Sequence, residues 1–347
     1  MKISKILLGL VFPIWHLALP HAIASREPIE LDPSLTEAAA TDSHAGPERG
    51  TALADDCAMP DKLKSDGPQS SQVARYEFID NGIIRLGIDI ESGGSVFCFA
   101  ESATKRNVLN HFDRGRFVQQ SFYGNSDGTV WDWAGGNAQK WVWNPVQGGN
   151  YSGIPAKIIE QKLDGNSVYV KTKPKHWVTG DDINDATMEQ WITLDDEIAH
   201  IQYRFVYDGS EIHRITDQEM PAVFVDYALN ELVSYRGDAP WTNAPLSRSN
   251  PGWPNEYHSA SEEWSAYVDA NDWGVGVYTP GTDKVTAYRY EGDGKYGPLA
   301  EATSYFAPIR RFSIKPGVTI DYNVYLTIGT VAEIRSRFAD LANTAER

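Results

Sequence analysis

Long hydrophobic runs are scarce in this chain. The one that stands out, LLGLVFPIWHLALP near the start, is short for a membrane span. Nothing after it is long and apolar enough to cross a bilayer. Cysteine is almost absent. Cys57 and Cys98 are the only two in 347 residues, too few for a disulfide scaffold. They can pair with each other after export, a point that spacing alone does not decide. Positive charge is in deficit: 31 Lys and Arg stand against 47 Asp and Glu, a formal net charge of −16. An acidic surface argues against nucleic acid and against anionic membranes as partners. The eight histidines form no HExxH or HxH pattern, and no cysteine pair has zinc spacing. GxSxG is missing, so an α/β serine hydrolase is not supported. There is no glycine-rich phosphate loop. Alternating strand and helix patterns are absent too, which argues against a parallel sheet with crossover helices. No repeat of fixed period appears, against a propeller.

What is present divides into three parts. Lys2 and Lys5, the apolar run and a small-x-small end at Ala22-Ile23-Ala24 predict a secretory signal peptide over residues 1–24. The expected location is secreted or periplasmic. Residues 25–72 contain no Tyr, Trp or Phe. They hold too little apolar surface to offset chain entropy and read as a flexible linker. Residues 73–347 read as a single catalytic domain, large for one unit but within the range of β-sandwiches.

That domain is strand-like almost throughout. Apolar and polar residues alternate in RYEFIDNGIIRLGIDI, SVYVKTKP, MEQWITLDDEIAHIQYRFVYDG, AYVDANDWGVGVYTP and TIDYNVYLTIG, with turn residues between the runs. Only VAEIRSRFADLANTAER has helical spacing, with Ile334, Phe338 and Leu341 on one face. The expected fold is all-β: a large antiparallel two-sheet β-sandwich closed by a short C-terminal helix. Two long irregular segments, about 124–156 and 236–262, interrupt it. They carry six of the eleven tryptophans: Trp131, Trp133, Trp141, Trp143, Trp241 and Trp253. Loops this long are functional or disordered, and disordered segments are poor in aromatics.

Tryptophans beside Asn, Gln and Asp suit a sugar. Indole covers the apolar face of a pyranose ring, while amides and carboxylates bond its hydroxyl rim. In WVWNPVQGGN, Trp141 and Trp143 offer stacking surfaces, and Asn144 and Gln147 offer amides. The plainer alternative is that these indoles fill core space. Hydrolysing a glycosidic bond needs two carboxyl groups, one of them a proton donor. Glu219 in DQEMPAVF and Glu262 in SASEEWSAYV are the expected pair, with Glu189 in MEQW a third candidate. Elimination from a uronate needs a cation to neutralise the carboxylate, and a His or Tyr to move the C5 proton. HFDRGRFVQQSFYG supplies His111, Arg114, Arg116 and Tyr123, and KTKPKHW adds Lys171, Lys173, Lys175 and His176. If 116–123 is a strand, Arg116, Val118, Gln120 and Phe122 share one face. Its polarity reads as a cleft floor or as an exposed sheet face. No cofactor is expected; a structural calcium ion is left open at Asp181, Asp182, Asn184 and Asp185, although the EF-hand pattern is not met.

The motifs NGIIRLGIDIESGG, DRGRFVQQSFY, WNPVQGGN, MEQWITLD, QEMPAVF, YRGDAPWT, SEEWSAYV and DWGVGVYTP resemble a family of secreted bacterial and fungal proteins. They span about residues 80–280. In overall style the chain resembles carbohydrate-active β-sandwiches of the galactose-mutarotase-like type, which include polysaccharide lyases and glycoside-processing domains. The resemblance singles out Arg116, Gln120, Tyr123, Asn144, Gln147, Glu219 and Glu262 as the polar members of its motifs. Three functions are therefore expected, in order. The first is a glycoside hydrolase with Glu219 and Glu262 as its carboxyl pair. The second is a polysaccharide lyase. The third is a non-catalytic carbohydrate-binding protein. In each the partner is a poly- or oligosaccharide.

Overall fold

Alternation decides the architecture, and the strand Ile198–Tyr207 shows how. Ala199, Ile201, Tyr203, Phe205 and Tyr207 are buried, while the residues between them are partly or fully exposed. One face of each such strand must be covered, and a second sheet covers it. In the computed structural model, which describes Cys57, residues 76–132 and residues 138–345, two large antiparallel sheets result. The expected signal peptide 1–24, the expected linker 25–72 apart from Cys57, and Trp133 lie outside the described residues.

The first sheet has ten strands. Its main path runs Tyr76–Asp80, Ile84–Asp89, Ser95–Glu101, Val118–Ser121, Thr216–Asp226, Thr303–Phe312, Lys284–Tyr290 and Glu256–Ser259. Pro145–Val146 pairs with Val118–Ser121 off this path, and Lys175–His176 pairs with Pro145–Val146. The second sheet has nine strands. It runs Ser247–Ser249, Glu231–Ser234, Trp264–Val268, Trp273–Tyr278, Thr319–Thr330, Ile198–Tyr207, Ala186–Asp195, Ser167–Lys173 and Lys157–Asp164. Aromatic pairs join the two across the core: Phe122 with Phe205 at 4.2 Å, and Tyr267 with Phe306 at 5.4 Å between ring centres.

The helix Val331–Ala345 starts where the sequence places it. Thr330 and Glu333 form a reciprocal cap: the Thr330 amide donates to the Glu333 carboxylate at 2.8 Å, and the Glu333 amide to Thr330 Oγ1 at 3.4 Å. Ile334 and Phe338 are fully buried on the second sheet. Gly276 makes that close approach possible, because a Cβ there would lie 2.4 Å from Ile334 Cγ2.

The strand expected over 116–123 is shorter, Val118–Ser121. Phe117 has φ of 73°, in the left-handed region, which breaks the alternation at that residue. Arg116 therefore does not share a face with Gln120. Gln120 instead donates across the core to the Glu189 carbonyl at 3.0 Å, and Gln147 donates to Gln190 Oε1 at 2.8 Å. Both are fully buried. The polar stretch read as a cleft floor is in part an internal amide network, in which Gln120 Oε1 is buried without a partner among the described residues.

Cys57 and Cys98 are joined by a disulfide, with Cα atoms 5.5 Å apart. They pack with Phe97 and Phe117, and His111 meets Phe97 edge-on at 5.4 Å. Burial pushes the His111 imidazole down to about 4, so the folded state holds it neutral. An unfolded His111 takes up a proton near its ordinary value of 6.5. Between these values the unfolded state binds more protons, so the contribution is full above 6.5 and is lost as pH falls toward 4. The expected loss is roughly 3 kcal/mol. Urea unfolding of the parent and of His111→Gln across this range measures it: the difference between the two curves should have a slope, and a flat difference contradicts the buried neutral state.

Candidate functional site

Glu219 stands on the strand Thr216–Asp226, just before Met220-Pro221. Four residue steps from Glu219 to Val223 face three on the neighbouring strand, from Ile309 to Phe306, so a bulge lies between. Proline cannot donate to a ladder and marks such sites, and a bulge re-aims the side chain beside it. Here the carboxyl faces away from the second sheet. Tyr123 donates to Glu219 Oε1 at 2.9 Å, and Tyr305 donates to the same oxygen. Gln218 holds Tyr123 in place: its Oε1 accepts from the Tyr123 amide at 2.7 Å, and its Nε2 donates to the Tyr123 carbonyl at 3.0 Å.

Burial raises the Glu219 carboxyl above its ordinary value, only partly offset by the hydroxyls that bond it. The same burial, together with the charge of Glu219, pushes Tyr123 and Tyr305 well above the usual phenol range. Both tyrosines are therefore hydrogen-bond donors near neutral pH, not bases. Tyr288 stacks on Tyr305 at 4.5 Å and extends the aromatic floor.

These groups lie in a cleft of about 540 Å³. One wall is indole. Trp141 stacks on Trp177 at 4.9 Å and 29°, and Trp131 meets them edge-on at 5.3 and 4.8 Å. Asn144 orients this wall, accepting from Trp141 Nε1 at 3.2 Å while its amide nitrogen donates to the Phe122 carbonyl at 2.8 Å. His176 ties the loop before Trp177 to Asp127 at 2.9 Å and to the Val142 carbonyl at 3.0 Å. Gly115 lies against Trp177; a Cβ there would come within 2.5 Å of the indole nitrogen. Trp253 and Tyr257 also line the cleft, with Trp253 edge-on to Tyr288 at 4.8 Å. Arg214 and Asp217 also line it. Asp217 pairs with Arg311 at 3.0 Å.

Of the residues expected at the site, Glu219, Tyr123, Trp141 and Asn144 meet in this cleft. Arg116 lines an adjoining cavity. Gln120 and Gln147 are in the interior. Trp143 stacks on His213 at 4.1 Å and packs against the main core, the space-filling alternative. Glu262 is not beside Glu219. It is fully buried next to the C-terminal helix, where Arg335 bonds both its oxygens at 2.5 and 3.0 Å. The Trp241 amide at 2.8 Å and Trp264 Nε1 at 2.9 Å complete its shell. Glu189 belongs to the second sheet, bonded by Tyr169 at 2.7 Å and by Lys171 at 3.5 Å.

Arg114 and the lysines of 171–175 do not reach the cleft. Arg114 bonds Asp89 and Ser92; Lys173 donates to the Asn184 and Ala186 carbonyls. Lys175 pairs with Asp182 at 2.8 Å, which employs one of the acidic residues considered for calcium. Among the described residues, no group of three or more His, Cys, Asp or Glu side chains is placed to hold a metal ion. Sequence reasoning missed Tyr305, Tyr288, Trp177 and Asp217. Tyr305 and Tyr288 sit in SYFAP and VTAYRY, ordinary strand patterns with nothing to mark them. Asp217 had a local signal, its position two residues before Glu219.

No protein-family model matches the chain, and no curated protein matches it. Solved structures similar to it include a protein of Escherichia coli K12 named among the aldose 1-epimerases, at 9% identity and TM-score 0.49, covering 75% of this chain and 100% of that one. A galactose mutarotase-like protein from Lactobacillus casei has 11% identity and TM-score 0.45, covering 73% and 100%. A galactose mutarotase related enzyme from Lactobacillus acidophilus has 12% identity and TM-score 0.43, covering 73% and 97%.

Proposed function

We propose that this chain is an exported carbohydrate-active enzyme that hydrolyses a glycosidic bond, with Glu219 as the proton donor. The observation that carries the reading is the buried Glu219 carboxyl, bonded by two tyrosine hydroxyls on the floor of a cleft walled with indole. Burial favours the protonated carboxyl that a general acid needs. Asp217 replaces Glu262 as the second carboxyl. It lines the same cleft two residues earlier on one strand. Residues so spaced project from one face of the strand, which sets both carboxyls toward the same cleft. In the proposed step Glu219 gives its proton to the leaving oxygen as the C–O bond breaks. Asp217 takes a proton from the water that attacks the anomeric carbon. Export rests on the basic start and apolar run of the first 24 residues.

Elimination from a uronate is the second reading; Arg114 and the lysines of 171–175, bonded elsewhere, weigh against it, although Arg214 lines the cleft. Assay of the purified protein against a polysaccharide panel, read by reducing ends and by ultraviolet absorbance, separates the two. Reducing ends without new absorbance are expected. Absorbance from an unsaturated end, on uronate polymers alone, would replace hydrolysis with elimination. Affinity without product would leave a binding protein. Trp141→Ala removes half of the stacked pair and should raise KM about tenfold, with a smaller change in kcat.

A further inference from the structure

The cleft at Glu219 does not end at the tryptophan wall. A second cavity of about 280 Å³ shares Gly115, Trp131, Trp177, Phe224, Trp253 and Tyr288 with the first. The two adjoin as one groove, with Trp131, Trp177 and Trp253 lining both. Tyr288, on the shared floor, lies in the fields of both ends: Glu219 reinforces the rise that burial gives its phenol, and Arg116 opposes it.

Arg116 lines the second cavity. Its Nε donates to Asp113 at 3.2 Å, and its Nη1 to Asn110 Oδ1 at 2.8 Å and the Ala300 carbonyl at 3.5 Å. Among the described residues no protein atom accepts from Nη2, and Cζ lies 4.9 Å from the centre of the exposed Phe112 ring. Glu301 lines the same cavity and accepts from Tyr290 at 3.3 Å, which leaves it lone pairs for another donor. Asp132, Thr303 and Tyr151 also line this cavity. A guanidinium donor held in place, a carboxylate acceptor and aromatic walls match a vicinal hydroxyl pair. One hydroxyl oxygen accepts from Arg116, and its neighbour donates to Glu301. A carboxylate ligand fits less well, because Asp113 already neutralises Arg116 and Glu301 repels a second negative charge.

Resting on the glycan reading above, we infer that the groove holds at least two consecutive units of an uncharged glycan chain. Arg116 and Glu301 read a hydroxyl pair on the unit beyond the one at Glu219. Substrate selection is then for chain length and neutrality, and a single sugar is a poor ligand.

Binding is tested on Glu219→Gln protein, so that no turnover intervenes. The readout is tryptophan fluorescence, since Trp131, Trp177 and Trp253 flank the join. The probes are neutral gluco-, xylo- and galacto-oligosaccharides of one to five units, and oligo-uronates of the same lengths. Affinity is expected to rise at least tenfold on adding the second or third neutral unit. In Glu301→Ala, which removes the acceptor, and separately in Arg116→Lys, that gain should shrink about tenfold, the worth of a hydrogen bond to a charged group. Two variants are used because Arg116 also holds its own loop; thermal melts check that each is folded. A gain unchanged in both variants, or tighter binding of uronates, overturns the inference while leaving the Glu219 reading in place. Quenching by no member of either series removes both.

Discussion

Glu219→Gln should lower turnover by about 10²–10⁴ while the protein stays folded, the range that a lost general acid spans. Gln keeps the shape and can still accept from Tyr123 and Tyr305, so the floor of the cleft need not rearrange. What it cannot do is release a proton. In the parent, activity should fall as pH rises through the raised Glu219 value, because the donor is then ionised. Stability carries the same sign. A carboxyl whose folded value is raised contributes fully below its unfolded value of 4.5, and that contribution is lost as pH rises through the folded value. Gln has no such loss, so the variant should match or exceed the parent in melting temperature at neutral pH. Steady-state rates on the active polysaccharide, paired with thermal melts, check both halves. Near-parental turnover would falsify the assignment.

Glu262 should respond in the opposite way. Removing it leaves Arg335, the Trp241 amide and Trp264 Nε1 without the acceptor they share. Breaking a buried ion pair from one side costs about 3–5 kcal/mol, chiefly because the remaining charge is left in the interior. Glu262→Ala should therefore shift the urea midpoint strongly downward. The rate per folded molecule should hold, since Glu262 does not line the cleft. Replacing both partners, Glu262→Met with Arg335→Met, should recover part of the loss, because no charge is then stranded. A Glu262 variant that melts like the parent but has lost its chemistry would return this residue to the catalytic role read from SASEEW.

Why one glutamate was legible and the other misleading is a matter of partners. Glu219 sits before Met220-Pro221 and Glu262 close to Trp264, both in apolar surroundings, which is all a local reading can weigh. Glu219 is followed by a proline that forces a bulge, a local feature with a local consequence. The fate of Glu262 depends on Arg335, seventy-three residues later. The amides divide in the same way. Asn144 reaches the cleft, whereas Gln147, three residues on, turns inward to Gln190. The left-handed Phe117 separates Arg116 from Gln120, and nothing in RFVQQSFY marks that break.

From the sequence alone follow the sheet-rich class, the turns, the helix face at Ile334 and Phe338, and the concentration of tryptophan in two irregular segments. These rest on short-range rules: side chains alternate along a strand, and three to four residues make a helical turn. Only the tertiary structure decides which aromatics form the cleft. Trp177, Tyr288, Tyr305 and Trp253 come from separate segments and meet because the pairing of distant strands fixes their register. Whether a carboxyl is a proton donor or a buried anchor is settled by the charge and hydroxyl groups that this packing sets against it. Such neighbours are close in space and remote in sequence, and no local pattern encodes them.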